Sequence, residues 1–438
     1  MRVLYERVAG LDVHKKTVVA CRMRLTGDKR IEWEKRTFGT MMADLLGLHD
    51  WLSEWEVEQV AIESTADYWK PVFNILEDGF EVILVNAKHV QQVPGRKTDL
   101  SDAEWLAELM LHGLLKASFI PPKPQRELRE LTRYRTTVVR ERVRLINRVE
   151  KLLESTNIKL SSVVTDVMGV SARAMLTELA AGATDPQALA DLAKGRLRNK
   201  TKELEAALVG TISPNQRFIL ARQLSHIDFL DEEIEAFNEQ ISQQLQQMAP
   251  PAVKDAEAGD DGSSGPATTE TLSWTEAVEL LDTIPGVDQR TAEIILAEIG
   301  LDMSQFPTAD DLASWAGFAP GNHQSGGKRY SGRTTKGNRS IGAAINQAAW
   351  AASRTKETWL KARYHRLAAR RGKKRAIVAI GRSILVSVWH MLSKRQSYQD
   401  LGADYYDQRR KESKVTYLTK QLTRLGFAVQ LDPLPAAA

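Results

Sequence analysis

The chain has 438 residues, enough for two or three domains that each bury a core. Hydrophobic residues make up 43% and charged residues 26% of it, a balance typical of globular proteins, and we expect no apolar run approaching the roughly 20 residues of a membrane-spanning helix. The formal net charge is only +4, and because Cys21 is the single cysteine, a disulfide framework and a cysteine-based zinc site are excluded. Charges in the opening residues argue against a signal peptide, so we expect a cytoplasmic protein without a membrane partner.

Residues 1–120 predict an α/β unit. In chain order the predicted elements are strands at 8–13, 17–23 and 31–39, a helix at 41–55, a strand at 59–64, a helix near 68–76, a strand at 80–85 and a helix at 101–115. Ser101 is a good N-cap for the last helix. Three strands followed by helix, strand, helix, strand and helix is the order of the ribonuclease H-like fold.

Residues 121–248 predict a helical arm. From Leu128 to Leu153 apolar residues recur every three or four positions, and the other faces of this helix are rich in arginine. A second long helix begins at Ser213-Pro214, a favourable cap and first-turn pair. Two heptad-like helices indicate an antiparallel coiled-coil arm or a dimer seam, with a self-contained helical hairpin as the simpler alternative.

The remainder divides into a flexible linker at 249–273, a helical domain at 274–425 and a tail at 426–438. A Gly-rich basic loop at 317–338 interrupts the helices. The run Ile284-Pro285-Gly286-Val287, followed by a helix at 291–299, resembles a helix-hairpin-helix element, in which backbone amides face a phosphate. An ordinary turn between two helices explains the same residues.

Positive charge is concentrated in one block. Residues 321–380 hold 15 Lys or Arg and a single acid, Glu357, which favours contact with a nucleic-acid backbone. The residues that we predict to bind nucleic acid are Lys328, Arg329, Arg333, Lys336, Arg370, Arg371, Lys373, Lys374 and Arg375.

Four acidic residues stand where the predicted α/β unit would bring them together. Asp12 ends the first strand, Glu63 ends the central strand, and Asp99 and Asp102 lie three apart at the start of a helix. Each alone could be a turn acid, a solvated strand end or a helix cap. Together their oxygens suit Mg²⁺ or Mn²⁺, which prefer carboxylates and serve phosphodiester chemistry.

The segments around these acids, GLDVHK, IESTADYWKP and RKTDLSDAEWLA, resemble the three motifs of the DEDD transposases of the insertion-sequence 110 family. The second half, LLDTIPGVDQRTAEIILAEIG and ASWAGFAPGNHQSGGKRYSGRTTKGNRSI, resembles the transposase domain of the same family. The resemblance implies a RuvC-like catalytic domain, a coiled-coil middle and a helical transposase domain. The linker and the tail depart from the family pattern.

The resemblance further implies a recombinase guided by a bridge RNA that pairs with donor and target DNA, working as a dimer or tetramer. It implies a serine nucleophile, here Ser325, that forms a phosphoserine bond to DNA with a metal site from a partner subunit. Judged from the residues alone, Ser325 would be a turn residue; Tyr330 is a rival nucleophile and Ser331 a weaker one.

Our leading hypothesis is therefore an RNA-guided, metal-dependent transposase. One alternative is a junction-resolving endonuclease that hydrolyses DNA without a covalent intermediate, and it needs only the first domain. Another is a non-catalytic nucleic-acid-binding scaffold, for which one of the four acids should be missing.

Overall fold

The computed structural model describes residues 3–28, 30–64, 66–86, 90, 101–248, 272–321, 323–334, 336–409 and 411–430. The chain forms two compact units, 1–121 and 122–438. The finer divisions at 248, 273 and 425 stay predictions.

The first unit is built on a five-stranded mixed sheet of order β3-β2-β1-β4-β5. Strands β1, β2 and β3 are antiparallel neighbours, whereas β1, β4 and β5 run parallel. The elements are β1 (Arg7–Val13), β2 (Thr17–Leu25), β3 (Ile31–Gly39), α1 (Met42–Ser53), β4 (Gln59–Ser64), α2 (Trp69–Leu76), β5 (Glu81–Leu84) and α3 (Asp102–Leu111). Among the described residues the predicted order is confirmed.

Alternation along the strands gives the sheet two buried faces. Ala9, Leu11 and Val13 share a core with α1 and α2, whereas Val8 packs with Ala103 and other residues of α3. Gly10 lies on the α3 face, where a Cβ would collide with the carbonyl oxygen of Ala103 and the backbone nitrogen of Ala107. Helix α3 can therefore lie this close to β1 only above a residue without a side chain.

Gly10→Ala should destabilise the first unit by about 1–3 kcal/mol or more, because helix backbone cannot move aside as a flexible side chain can. The measurement is chemical unfolding followed by circular dichroism. Gly47→Ala is the matched control: Gly47 lies in α1 with open space around it, so alanine should stabilise the helix by about 0.5–1 kcal/mol. Equal effects of the two changes would contradict the close-packing argument.

The second unit is largely helical. Its helices are α4 (Lys123–Ser155), α5 (Leu160–Val163), α6 (Val170–Ala181), α7 (Pro186–Ala190), α8 (Thr201–Leu208), α9 (Pro214–Gln247), α10 (Trp274–Asp282), α11 (Gln289–Ile299), α12 (Ala309–Trp315), α13 (Arg339–Ala352), α14 (Trp359–Arg371), α15 (Lys373–Lys394), α16 (Tyr405–Arg409) and α17 (Lys411–Arg424). Two 3₁₀ turns, at Gly195–Lys200 and Met303–Gln305, join them.

The long helices α4 and α9 pair antiparallel within the chain. Arg135 donates to Asn238, and further along α4 Arg142 donates to Asp231, which comes earlier in α9. The two helices therefore run in opposite directions. Ser213 caps α9 in a reciprocal capping box with Gln216, as the Ser-Pro start predicts. The two helices thus form an antiparallel hairpin within the chain, and its core continues through α5 to α8.

The first half of α4 is joined to α11 by a buried polar network. Arg133 holds both carboxylate oxygens of Glu298, with N–O distances of 2.7 and 2.8 Å. Asn338, just before α13, donates to the same carboxylate at 2.8 Å. Arg129 donates to the carbonyl of Ala297, in the last turn of α11, where such groups lack helical partners. Helix α4 therefore belongs to the arm and also packs against the helical half of the chain that follows residue 272, which we call the transposase-like half.

Two features of this half differ from expectation. The segment predicted as a loop forms a short hairpin, β6 (His323–Ser325) and β7 (Lys328–Ser331), so the region is not wholly helical. Helix α15 is long and apolar enough to cross a membrane, because Arg382 is its only charged residue between 376 and 393. The expectation that the chain has no apolar run of this length was therefore wrong. Helix α15 contacts α12, α13 and α14 and has half of that stretch buried, as a core helix does.

Candidate nuclease and strand-transfer sites

Asp12 and Glu63 are neighbours across the parallel strands β1 and β4, where they are register partners. Alternation puts Asp12 on the same face as Val8 and Gly10, and Glu63 on the same face as Ala61, which packs against α3. Both acids therefore lie on the α3 face, at the ends of their strands.

Asp102 is the first residue of α3 and lies near Asp12. Burial raises the pKa of the Asp12 carboxyl above its ordinary value, His14 opposes that rise, and the negative charge of Asp102 adds to it. The Asp12 side chain is 19% exposed, and its Oδ2 lies 3.1 Å from Nε2 of His14. The structure thus brings Asp12 near both Glu63 and Asp102.

The start of α3 is fixed by the predicted N-cap Ser101 and by contacts of Glu104 that the sequence analysis did not identify. Ser101 and Glu104 form a capping box, and Lys35 of β3 pairs with the Glu104 carboxylate at 2.6 Å. The Lys35 ammonium lowers the pKa of Glu104, so this acid is ionised at neutral pH. Because Asp102 lies between Ser101 and Glu104, this anchor holds it in place over the sheet.

Asp99 lies outside the described residues, as do Arg96 and Lys97. Among the residues that are described, no three His, Cys, Asp or Glu side chains are grouped so that they could hold a metal ion. The donor chemistry nevertheless fits a hard cation, since Asp12 is near two other carboxylates and Mg²⁺ prefers oxygen ligands. The acids at this sheet edge are therefore the candidate ligands for such a cation.

Ser325 ends strand β6 at the tip of the hairpin, and the description of this residue is limited to its backbone. Gly326 and Gly327 follow with φ of 57° and 74°, the left-handed values that a two-residue type I′ turn requires. A Cβ at either glycine would meet open space, so turn geometry accounts for both glycines. Ser325 is paired in register with Lys328 across this turn.

The predicted nucleic-acid-binding cations fall into two places. Around the hairpin, Lys328, Arg333 and Lys336 are exposed, while only the backbone of Arg329 is described. The second group lies at the turn between α14 and α15, where Gly372 adopts φ of 81°. All five of its members are exposed: Arg370, Arg371, Lys373, Lys374 and Arg375.

The helix-hairpin-helix interpretation of 284–299 is only partly supported by the structure. Helices α10 and α11 do contact each other around the turn. However, a Cβ on Gly286 would collide with the backbone of Ala348 and Ala352 in α13, so this glycine serves close helix packing. The N-cap of α11 is Asp288, whose carboxylate accepts from the amide of Thr291.

Comparison with known proteins identifies the family of the chain. Residues 9–158 match a transposase family, and residues 278–365 match the Transposase IS116/IS110/IS902 family. The chain is 25% identical over 345 residues to the transposase for insertion sequence element IS1111A of Coxiella burnetii, an alignment covering 76% of this chain and 77% of that protein.

The chain belongs to the insertion-sequence 110 family of transposases. A 47-residue stretch of the transposase is also 53% identical to the pilin gene-inverting proteins of Moraxella bovis and Moraxella lacunata, over 11% of this chain and 14% of each of those proteins. The two family matches span the predicted acids and Ser325 respectively.

Sequence reasoning missed two positioning features of the transposase. Gly10 carried a usable signal, because a glycine inside an apolar strand often marks a close approach of another backbone. The Lys35–Glu104 pair left no signal in the sequence, since it joins an edge strand to a helix 69 positions further along the chain.

Proposed function

We propose that this transposase cuts and rejoins DNA strands with a carboxylate-bound divalent metal and a serine nucleophile. The observation that supports this best is the pairing of Asp12 with Glu63 across β1 and β4, with Asp102 beside Asp12. On this proposal Asp12, Glu63, Asp99 and Asp102 hold Mg²⁺ or Mn²⁺. The bound metal would neutralise charge on the scissile phosphate and favour the departure of an alkoxide.

Ser325 is proposed to attack phosphorus from the tip of the β6–β7 hairpin. A bond forms between Oγ and phosphorus, the bond from phosphorus to one deoxyribose oxygen breaks, and the hydroxyl proton passes to solvent or a base while the leaving oxygen takes up a proton. Rejoining reverses these steps with a different deoxyribose hydroxyl. The exposed Lys328 and Arg333 would hold the phosphate charge near the serine.

The proposed partners are donor and target DNA, a guide RNA and further copies of the chain. Support for nucleic acid comes from the exposed basic block, whose contacts with a backbone would be independent of base sequence. The Moraxella relatives are named for inverting a gene, and inversion requires that DNA strands be cut and rejoined. Recognition by a guide RNA would supply the sequence specificity that backbone contacts lack.

Trapping of covalent protein–DNA adducts tests the serine assignment. With wild-type protein, labelled substrate DNA and Mg²⁺, we expect a denaturation-resistant adduct, and Ser325→Ala should abolish it because the attacking oxygen is lost. The controls Tyr330→Phe and Ser331→Ala, altered on the neighbouring strand, should both keep the adduct.

Two results would overturn this assignment. Adduct that persists in Ser325→Ala and disappears in Tyr330→Phe would identify the tyrosine as nucleophile. Cutting by the wild-type protein with no adduct under any condition would favour the alternative of a hydrolytic endonuclease.

A further inference from the structure

An open cleft of about 390 Å³ lies between helix α4 of the arm and the start of α13. Arg133, Thr136, Thr137 and Arg140 contribute one side from α4, and Arg339 and Ser340 contribute the other. Spacings of three, four and seven residues put the α4 members on one face of that helix. The cleft belongs wholly to the second compact unit.

The described lining of the cleft is positively charged. Beneath it, Glu298 is fully buried and already bound by Arg133 and Asn338, with Arg129 3.5 Å away. Three of the described lining residues, Arg133, Arg140 and Arg339, are positively charged, and none of the described lining residues is acidic. Among the described residues neither Arg140 nor Arg339 has an ion-pair partner, and both side chains are exposed.

The other polar groups of the cleft are largely engaged. Thr136 and Thr137 donate their hydroxyls to carbonyls one turn earlier in α4, at 2.8 and 3.1 Å. The first amides of α13 are capped by the Asn338 side chain, which accepts from Ser340 and Ile341. The capacity of the cleft to bind an anion therefore depends on guanidinium groups and not on a free helix terminus.

We propose that this cleft binds the phosphodiester backbone of a nucleic acid, through Arg140 and Arg339 with Arg133 as the fixed member. Arg133 and Arg140 are seven residues apart, about 10 Å along the helix, which matches the axial rise of about three nucleotides of one duplex strand at 3.4 Å each. A row of that length suits a polymer backbone better than a single phosphate ion. Arg133 is pre-oriented by its bidentate pair with Glu298, so its guanidinium group is held in place at the side of the cleft.

This inference rests on the proposed function and extends it, because it places nucleic acid at the joint between the arm and the transposase-like half. The predicted cations at the hairpin and at the α14–α15 turn are not part of the cleft. A backbone held here would pass along α4, whose other faces carry further arginines.

Fluorescence anisotropy across a salt series tests the proposal with the full-length protein. The probes are labelled duplex DNA, single-stranded DNA and a hairpin RNA, all of arbitrary sequence. For Arg140→Gln/Arg339→Gln, the slope of log affinity against log salt should be less steep by about two on the probe that the cleft binds, one for each lost phosphate contact. Arg140→Lys/Arg339→Lys keeps both charges and should keep most of the slope.

Arg222→Gln is the matched control. Arg222 is exposed on α9, nine residues or about 14 Å along that helix from Asp231, the partner of Arg142 on α4, so its loss should leave the slope unchanged. Circular dichroism checks that all variants keep the fold, which is expected because neither cleft arginine is buried.

Each outcome decides the question. A change confined to RNA or to DNA identifies the polymer that occupies the cleft, and a change with both makes it a general backbone site. If wild-type protein binds and cuts DNA while the double Gln variant keeps the wild-type slope on all probes, the cleft assignment alone is wrong. An equal change in Arg222→Gln would also overturn it, and wild-type protein that binds no nucleic acid at low salt would overturn the proposed function as well.

Discussion

An Asp12→Asn variant should lose DNA strand cleavage by about a thousandfold or more while keeping its fold. Asparagine has the shape of aspartate but lacks the charge that a divalent cation needs. Metal assistance contributes several kcal/mol to such reactions, and each ~1.4 kcal/mol is a factor of ten in rate. The melting temperature should change little, because the loss of the contact with His14 is offset by relief of the repulsion between Asp12 and Asp102. Cleavage rate and melting temperature are the measurements.

The matched control for this change is Asp78→Asn. Asp78 is exposed beyond the end of α2 in the same unit, so the same chemical change should leave cleavage intact. An active Asp12→Asn protein would remove the basis for the metal site. An inactive protein that had also unfolded would point instead to a structural role for Asp12.

A Glu298→Gln variant should destabilise the second unit by about 3 kcal/mol. The Glu298 side chain is 0% exposed and neutralises Arg133 together with Arg129, which is itself only 12% exposed. Removing one member of a buried ion pair leaves the other charge without compensation, at a cost of 3–5 kcal/mol; we expect the lower end because Arg133 is 45% exposed. Urea unfolding measures the change. Asp231→Asn, which removes the partner of Arg142 from a solvent-exposed pair, should cost less than about 1 kcal/mol.

The same ion pair predicts how stability depends on pH. Burial alone would raise the pKa of Glu298, but hydrogen bonds and charge from Arg133, followed by Arg129 and Asn338, bring it below its ordinary value of 4.5. A carboxyl with a lowered pKa in the folded state contributes stability that is present above its unfolded pKa and is lost as the pH falls through the folded one. Wild-type stability should thus fall more steeply than that of Glu298→Gln below about pH 4.5. Parallel curves would contradict this role.

The sheet was predictable because local patterns determine it. Apolar alternation in β1 and β2 and the apolar β4 run define strands, and acids at strand ends stand out against them. The β6–β7 hairpin was missed although Gly326-Gly327 is a recognised turn signal, because the flanking residues are polar and show no alternation.

Long-range contacts left no such local trace. Arg133 and Glu298 are 165 positions apart, and nothing in either segment indicates that they meet. The sequence shows only that this helix is rich in arginine, yet Arg129 and Arg135 are internal structural groups bound to α11. Only the folded chain separates these arginines from the exposed Arg140.

Helix α4 is uninterrupted from Lys123 to Ser155, about 50 Å at 1.5 Å per residue. After Pro124 it contains neither proline nor glycine, so its sequence provides no place for a kink. The arm and the Arg133–Glu298 contact are therefore joined by one continuous helix, so a displacement of the arm would be transmitted along α4 to α11.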